Sequence, residues 1–185
     1  MAMKYFFGSL LIFCIGFSSF AQPATHQYTP SDAGSSVTFS IKNFGLNSSG
    51  SFSGLLGNIV FDGQNPGSCS FDVTLNAASI NTNNDVRDDH LKKEAYFDVV
   101  KYPRIRLVST SVGAVDKGGH YTFTGNLTIK DMTKEISFPF LATPVGDDYI
   151  FKGSFTINRR DFGIGGSSTL SNNLTVTVTV FAKRQ

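Results

Sequence analysis

The densest chemistry in this sequence is a run of charged residues, Asp85, Arg87, Asp88, Asp89 and His90. Three uses are open to such a cluster. As a metal site it offers one imidazole and a few crowded carboxylates, while His26 and His120 fall in unrelated segments, so no metal is expected. As an electrostatic site, Arg87 or His90 could meet the oxygens of a ligand head group, because a planar guanidinium suits two-point contact. As a structural device, Arg87 and Asp88 would pin a short helix to the body of the fold and close one end of it. Arg159 and Arg160, ahead of Asp161-Phe162-Gly163, raise the same question. A capped turn held by local salt bridges is the default there, and a second anion contact is the alternative.

Catalysis needs a nucleophile with its base, or paired acids in a cleft. The chain has no Gly-x-Ser-x-Gly elbow and no His-Glu-x-x-His pair. Its Gly-rich stretch, residues 163–168, lacks the Lys and the strand-to-helix setting of a phosphate loop and reads as a flexible connection. No enzyme is therefore expected. A hydrolase using His90 with a nearby Asp is one alternative, and a barrel that acts only as a protein interaction module is another.

The elements that must position these residues are mostly strands. Val37, Phe39 and Ile41 alternate with polar neighbours, and so do Cys69, Phe71, Val73 and Leu75. Tyr121, Phe123, Leu127 and Ile129 alternate with Thr122, Thr124, Asn126 and Thr128, and Leu174, Val176, Val178 and Val180 with Thr175, Thr177 and Thr179. Further strands are expected over 50–61 and 104–115, around Ile136, Phe138 and Phe140, and from Tyr149 through Phe151 and Phe155 to Ile157. Short turns such as 62–67 and 116–119 join most of them, so about eight strands run antiparallel to their neighbours. The fold class is all-β, and the pattern alone allows a sandwich or a closed barrel. One charged stretch, 83–95, breaks the alternation and is expected to form a short helix near residues 84–94, capped by Asn83 or Asn84 and anchored by Val86 and Leu91.

The chain begins with Lys4, an apolar run from Tyr5 to Phe17, and small residues before Ala21. That layout predicts a signal peptide over residues 1–21 and a mature domain over 22–185, exported to the periplasm or the extracellular space. The run is short for a membrane span. Cys14 follows bulky Leu11-Ile12-Phe13, which does not suit a lipid-modification site. Cys69 is then alone, so no internal disulfide can form, and its place in an apolar row predicts a buried, inert thiol. With a net charge of +2, no basic run and charges mixed along the chain, no nucleic-acid partner is expected.

The segment 86–105 resembles the YceI-like proteins, whose hallmark is an Arg-Asp-x-His-Leu stretch followed by Phe-Asp-Val and Tyr-Pro. Here these are Arg87, Asp88, His90 and Leu91, then Phe97, Asp98, Val99, Tyr102 and Pro103. Val37-Thr38-Phe39-Ser40-Ile41, Gly50-Ser51-Phe52, Gly125-Asn126-Leu127-Thr128-Ile129-Lys130 and Asn158-Arg159-Arg160-Asp161-Phe162-Gly163 agree in the same order. The resemblance implies an eight-stranded antiparallel up-and-down, lipocalin-like barrel that binds an isoprenoid lipid, such as an isoprenoid quinone or a prenyl phosphate, as carrier or store. No other cofactor is expected. On that reading the interior positions Phe39, Ile41, Phe71, Val73, Phe97, Ile105, Leu107, Phe123, Leu127, Phe138, Phe140 and Phe155 contact the lipid. Arg87, Asp88, His90 and Arg160 are the head-group candidates. A homodimer, a membrane or a partner protein could serve in delivery.

Overall fold

The computed structural model describes residues 26–166 and 170–185. The expected signal peptide, and Ser167 and Ser168 of the Gly-rich connection, lie outside these residues. Among the described residues the strands are β1 (His26–Asn43), β2 (Leu46–Phe52), β3 (Leu56–Phe61), β4 (Ser70–Asn76), β5 (Arg104–Gly113), β6 (Tyr121–Ile129), β7 (Met132–Val145), β8 (Asp148–Asn158) and β9 (Leu170–Arg184). One helix, α1 (Asp85–Leu91), lies between β4 and β5.

β2 and β3 both pair antiparallel with β1, each strand from β3 onward pairs antiparallel with the next, and β9 returns to β1 along its length, from Tyr28 opposite Arg184 to Asn43 opposite Leu170. The sheet is therefore a closed barrel, which removes the exposed edges of an open sheet. β1 pairs with β2 over Val37 to Asn43 and with β3 over His26 to Tyr28. β2 and β3 thus occupy the same side of β1 as two lengths of one stave, and the barrel has eight staves.

The strand expected over 50–61 is broken by a polar device. The Asp32 carboxylate accepts the amides of Gly54 at 3.0 Å and Leu55 at 2.9 Å, and Arg104 donates to the Gly54 carbonyl at 2.8 Å. Gly54 has φ +75°, a conformation that suits a residue without Cβ. β1 also begins ten residues ahead of Ser36, where the expected alternation started. Pro30 and Gly34 disturb the period-two pattern there, and a bulge between Ser31 and Ser36 restores register against β9.

Inward rows are apolar, as the alternation dictates. On β6, Phe123, Leu127 and Ile129 are buried while Thr122 and Asn126 are exposed. Cys69, on the inward row leading into β4, is buried, and its thiol exchanges hydrogen bonds with the Asp62 backbone at 3.2 and 3.3 Å. Burial pushes that thiol's pKa up, which favours the unreactive protonated form.

The two ends of the barrel differ. At the end holding the β3–β4, β5–β6 and β7–β8 turns, Phe61 meets Phe71, Tyr121, Tyr149 and Phe151 edge-on, with ring centroids 5.0–6.5 Å apart. Tyr28 adds a further ring against Tyr149. The opposite end carries the β1–β2 turn, the β4–β5 link with α1, the β6–β7 turn and the β8–β9 link. α1 is shorter than expected, ending at Leu91, and Asn84 rather than Asn83 caps it by accepting the Arg87 amide at 2.9 Å. Val86 is not an anchor: it is 80% exposed.

Candidate functional site

Between the aromatic end and α1 the barrel encloses a cavity of about 230 Å³. Its wall explains a pattern in the burial. Phe39, Ile41, Val73, Leu107 and Phe155 point inward yet are only half-buried, because part of each faces the cavity. All twelve interior positions named from the sequence line it. Gly125 and Gly153 fall on inward rows, where a Cβ would meet the Phe123 and Phe138 rings at 2.8 Å. At those points a ring lies over bare backbone, so the rows can hold large aromatics without filling the lumen.

Residues of the α1 end close the cavity from above, and here the sequence signal was partial. Phe97 and Leu91 line the wall, as do Tyr96, Ile164 and Leu170, which no alternation marked. Their positions depend on a link pinned by hydrogen bonds. The Asn81 and Ser51 backbones bridge this link to β2, and Thr82, 5% exposed, is gripped by both halves of the Arg-Asp pair. Its amide donates to Asp88 Oδ1 at 2.9 Å and its hydroxyl to the same oxygen. Arg87 donates through Nε to the Thr82 hydroxyl and through Nη2 to the Thr82 carbonyl, each at 2.7 Å. The pair therefore pins α1, as its structural reading requires, and Asp88 faces Thr82 rather than the cavity.

The head-group candidates separate. Arg87 lines the cavity and is also exposed, so it marks where the lumen approaches solvent. His90 lies outside the wall, exposed, with its ring edge-on to Tyr96 at 6.0 Å. Arg160 is likewise exposed and outside the wall, because the 3₁₀ turn Arg159–Phe162, capped by Asn158, turns it outward. Arg159, not chosen from the sequence, reaches the cavity instead. It is 3% exposed, and its guanidinium donates to the carbonyls of Ile164 at 2.7 Å and Ser171 at 3.0 Å and to Asn172 Oδ1 at 3.3 Å. Burial, and then the neighbouring charge of Arg160, lower its pKa, but an Arg keeps its proton in a protein. The local ion pairs expected at this turn are thus replaced by a carbonyl ring. Residues 163–166 of the Gly-rich link read as flexible are held in place: Ile164 accepts from Arg159, Gly165 donates to the Ala95 carbonyl at 2.8 Å, and a Cβ on Gly165 would meet Arg159 at 2.9 Å.

Among the described residues no group of three or more His, Cys, Asp or Glu side chains could hold a metal ion. The chain matches the sequence profile of the YceI-like domain over residues 28–182.

This protein belongs to the YceI-like family.

UPF0312 proteins of Pectobacterium atrosepticum and Pseudomonas aeruginosa are 34% and 35% identical to it over 135 residues, 69% of this chain and 69% and 70% of theirs. Among solved structures, Burkholderia cenocepacia BcnA superposes with a TM-score of 0.78 at 23% identity, covering 83% of this chain and 99% of that one. A polyisoprenoid binding domain from Saccharophagus degradans superposes with a TM-score of 0.67 at 12% identity, covering 85% of this chain and 98% of that one. At those identities the likeness is one of fold, and the eight-stave barrel with its short helix is a YceI-like barrel.

Proposed function

We propose that this YceI-like barrel holds one long apolar lipid of the isoprenoid class in its lumen, chain toward the aromatic end and head group toward α1, as a carrier or store. The observation that carries the reading is the cavity itself, a 230 Å³ lumen walled by inward apolar rows, with Arg87 and Arg159 as cations at its α1 end. An apolar cavity of roughly 150 Å³ holds one benzene ring, so this lumen encloses on the order of nine chain carbons. At about 0.8 kcal/mol per buried CH₂, nine such groups favour binding by about 7 kcal/mol. Ordering costs of several kcal/mol offset part of this, so contacts to the head group and to the rest of the chain must supply the remaining affinity. The Saccharophagus neighbour described as a polyisoprenoid binding domain supports the ligand class.

Two cations at the α1 end favour an oxygen-rich head group, a prenyl phosphate or a quinone carbonyl. The reading is one of binding, not catalysis: His90 stands outside the cavity and Asp88 is committed to Thr82, so they form no acid–base pair on the lumen. The signal-like residues 1–21 support export, with the barrel working outside the cytoplasm.

The test is native mass spectrometry of protein purified without detergent, followed by organic extraction and by incubation with an isoprenoid quinone and with a prenyl phosphate. A retained isoprenoid mass is expected, and Arg87→Gln should weaken retention of the prenyl phosphate more than that of the quinone. A chain that stays empty after both incubations overturns the reading.

A further inference from the structure

The exposed apolar side chains are unevenly placed. Val100, Phe44, Val86 and Leu46 are 94%, 80%, 80% and 76% exposed, and all four belong to the α1 end. At the other end the most exposed large apolar residues, Val145 and Val115, reach only 46% and 45%. Phe44 stands out further by its backbone. The β1–β2 hairpin turns through Phe44, with φ +48°, and Gly45, with φ +82°, between Asn43 and its partner Leu46. Positive φ at both central residues is the arrangement for which Asn-Gly is preferred. A phenylalanine there is strained, because its Cβ crowds the backbone, and it gains nothing by burial. Folding therefore does not account for Phe44, and a strained residue at a surface tip points to a use in binding.

We propose that the α1 end docks on a lipid bilayer, with Phe44 and Leu46 dipping into the acyl boundary, so that a chain passes between membrane and lumen without crossing water. This rests on the lipid-holding reading above. The hairpin is continuous with the cavity: Ile41 and its partner Ser48 both line the lumen, and the tip lies three residues beyond Ile41, roughly 10 Å at strand rise. That reach matches the roughly 5–10 Å to which interfacial apolar groups sink.

Charge fits a bilayer as well. Over residues 33–61 the only charge is Lys42, next to the tip, so the hairpin descends without burying a carboxylate. Lys101 adjoins Val100 and Lys93 follows α1, and both can reach lipid phosphates, although Asp85, Asp89, Glu94 and Asp98 are interleaved with them and Lys92 is paired with Asp89 at 3.3 Å. These tips come from two separate connections, the β1–β2 turn and the β4–β5 link, with charged residues between them. A soft surface accepts such scattered projections, whereas a folded partner needs a contiguous apolar patch.

The chain has no tryptophan, so Phe44→Trp makes a single emitter at the tip and Val145→Trp one at the opposite end. With phosphatidylcholine–phosphatidylglycerol vesicles, emission from the Phe44→Trp variant should shift to the blue and be quenched by brominated acyl chains, while that from the Val145→Trp variant should not change. Phe44→Asn, which suits the turn, should raise the melting temperature yet weaken vesicle binding by about tenfold, the factor expected when burial of one large apolar side chain is lost. It should also slow extraction of vesicle-borne geranylgeraniol, while its final loading from cyclodextrin equals that of the parent chain. Emission from Phe44→Trp that stays unshifted, or extraction unchanged in Phe44→Asn, overturns the docking. A shift seen only with a protein partner overturns it in favour of that partner. Failure of the parent chain to load from cyclodextrin at all overturns the lipid-holding reading instead.

Discussion

At one end of the barrel Phe61 is 1% exposed and packed among four other aromatic rings, while at the other end Phe44 is 80% exposed at a strained turn. The same residue type serves opposite purposes. At the closed end, edge-to-face contacts fill the lumen and every large side chain contributes to stability. At the α1 end the cover is tied on by polar contacts to Thr82 and by backbone bridges such as Asn81 to Ser51. Tyr96, Phe97 and Val99 pack there on a smaller apolar cluster with Phe162 and Ile164, while Phe44, Leu46, Val86 and Val100 stay outside it. The aromatic end thus closes the lumen by ring packing, while the α1 end combines a smaller apolar cluster with a hydrogen-bonded link that can open locally.

This contrast can be broken from either side. The largest effect is expected at the closed end, where Phe61→Ala should cost about 3–5 kcal/mol in urea unfolding. Because Phe61 is not part of the cavity wall, ligand retention by the remaining folded protein should be nearly unchanged. Next, Asp88→Ala removes the acceptor for the Thr82 amide and hydroxyl and should cost about 1–3 kcal/mol. Hydrogen exchange should locate that loss: the Thr82 amide should exchange much faster while the β6 amides stay protected. If β6 loosens equally, the cover and the barrel are one cooperative unit and the contrast fails.

Asn84→Ala, which deletes the cap on the Arg87 amide, should cost about 1 kcal/mol, read as faster exchange confined to the first turn of α1. The smallest effect is expected on the outer wall, where Arg106 bonds Asp72 at 2.6 and 2.9 Å with both side chains about half exposed. Solvent screens such a pair, so Asp72→Asn should cost less than about 1 kcal/mol in thermal unfolding. Arg106 holds the Asp72 carboxyl below the ordinary aspartate range. Its small contribution should therefore be present above pH of about 3.9, the unfolded value, and be lost as pH falls through the lower folded value.

Much of the barrel wall was legible because a strand writes its two faces into alternate residues. Phe123, Leu127 and Ile129 announce an inward row without any partner strand in view, and eleven of the twelve interior positions reached the cavity wall for that reason, Phe97 lying instead in the link after α1. The α1 end was less legible. Tyr96, Arg159 and Ile164 lie in links with no period, and what turns them inward is a set of contacts to carbonyls far along the chain, such as Ala95 to Gly165. Arg160 and Arg159 are neighbours of one type, and only the Asn158-capped turn decides which faces in. Val86 shows the converse: an apolar residue on a predicted helix that no neighbouring element covers.

What the sequence by itself determined was the period-two rows, the short turns between them, the place of the one helix and the motif that ties the chain to its family. Those are local or ordered along the chain, and side-chain direction follows from backbone geometry alone. Whether the sheet would close on itself, where β2 and β3 would part, and that a lumen would remain between the aromatic end and α1 were decided only in three dimensions. Closure depends on β1 meeting β9 across almost the whole chain. An open lumen depends on how ring volumes, with Gly125 and Gly153 beneath them, sum across strands that no stretch of sequence contains together.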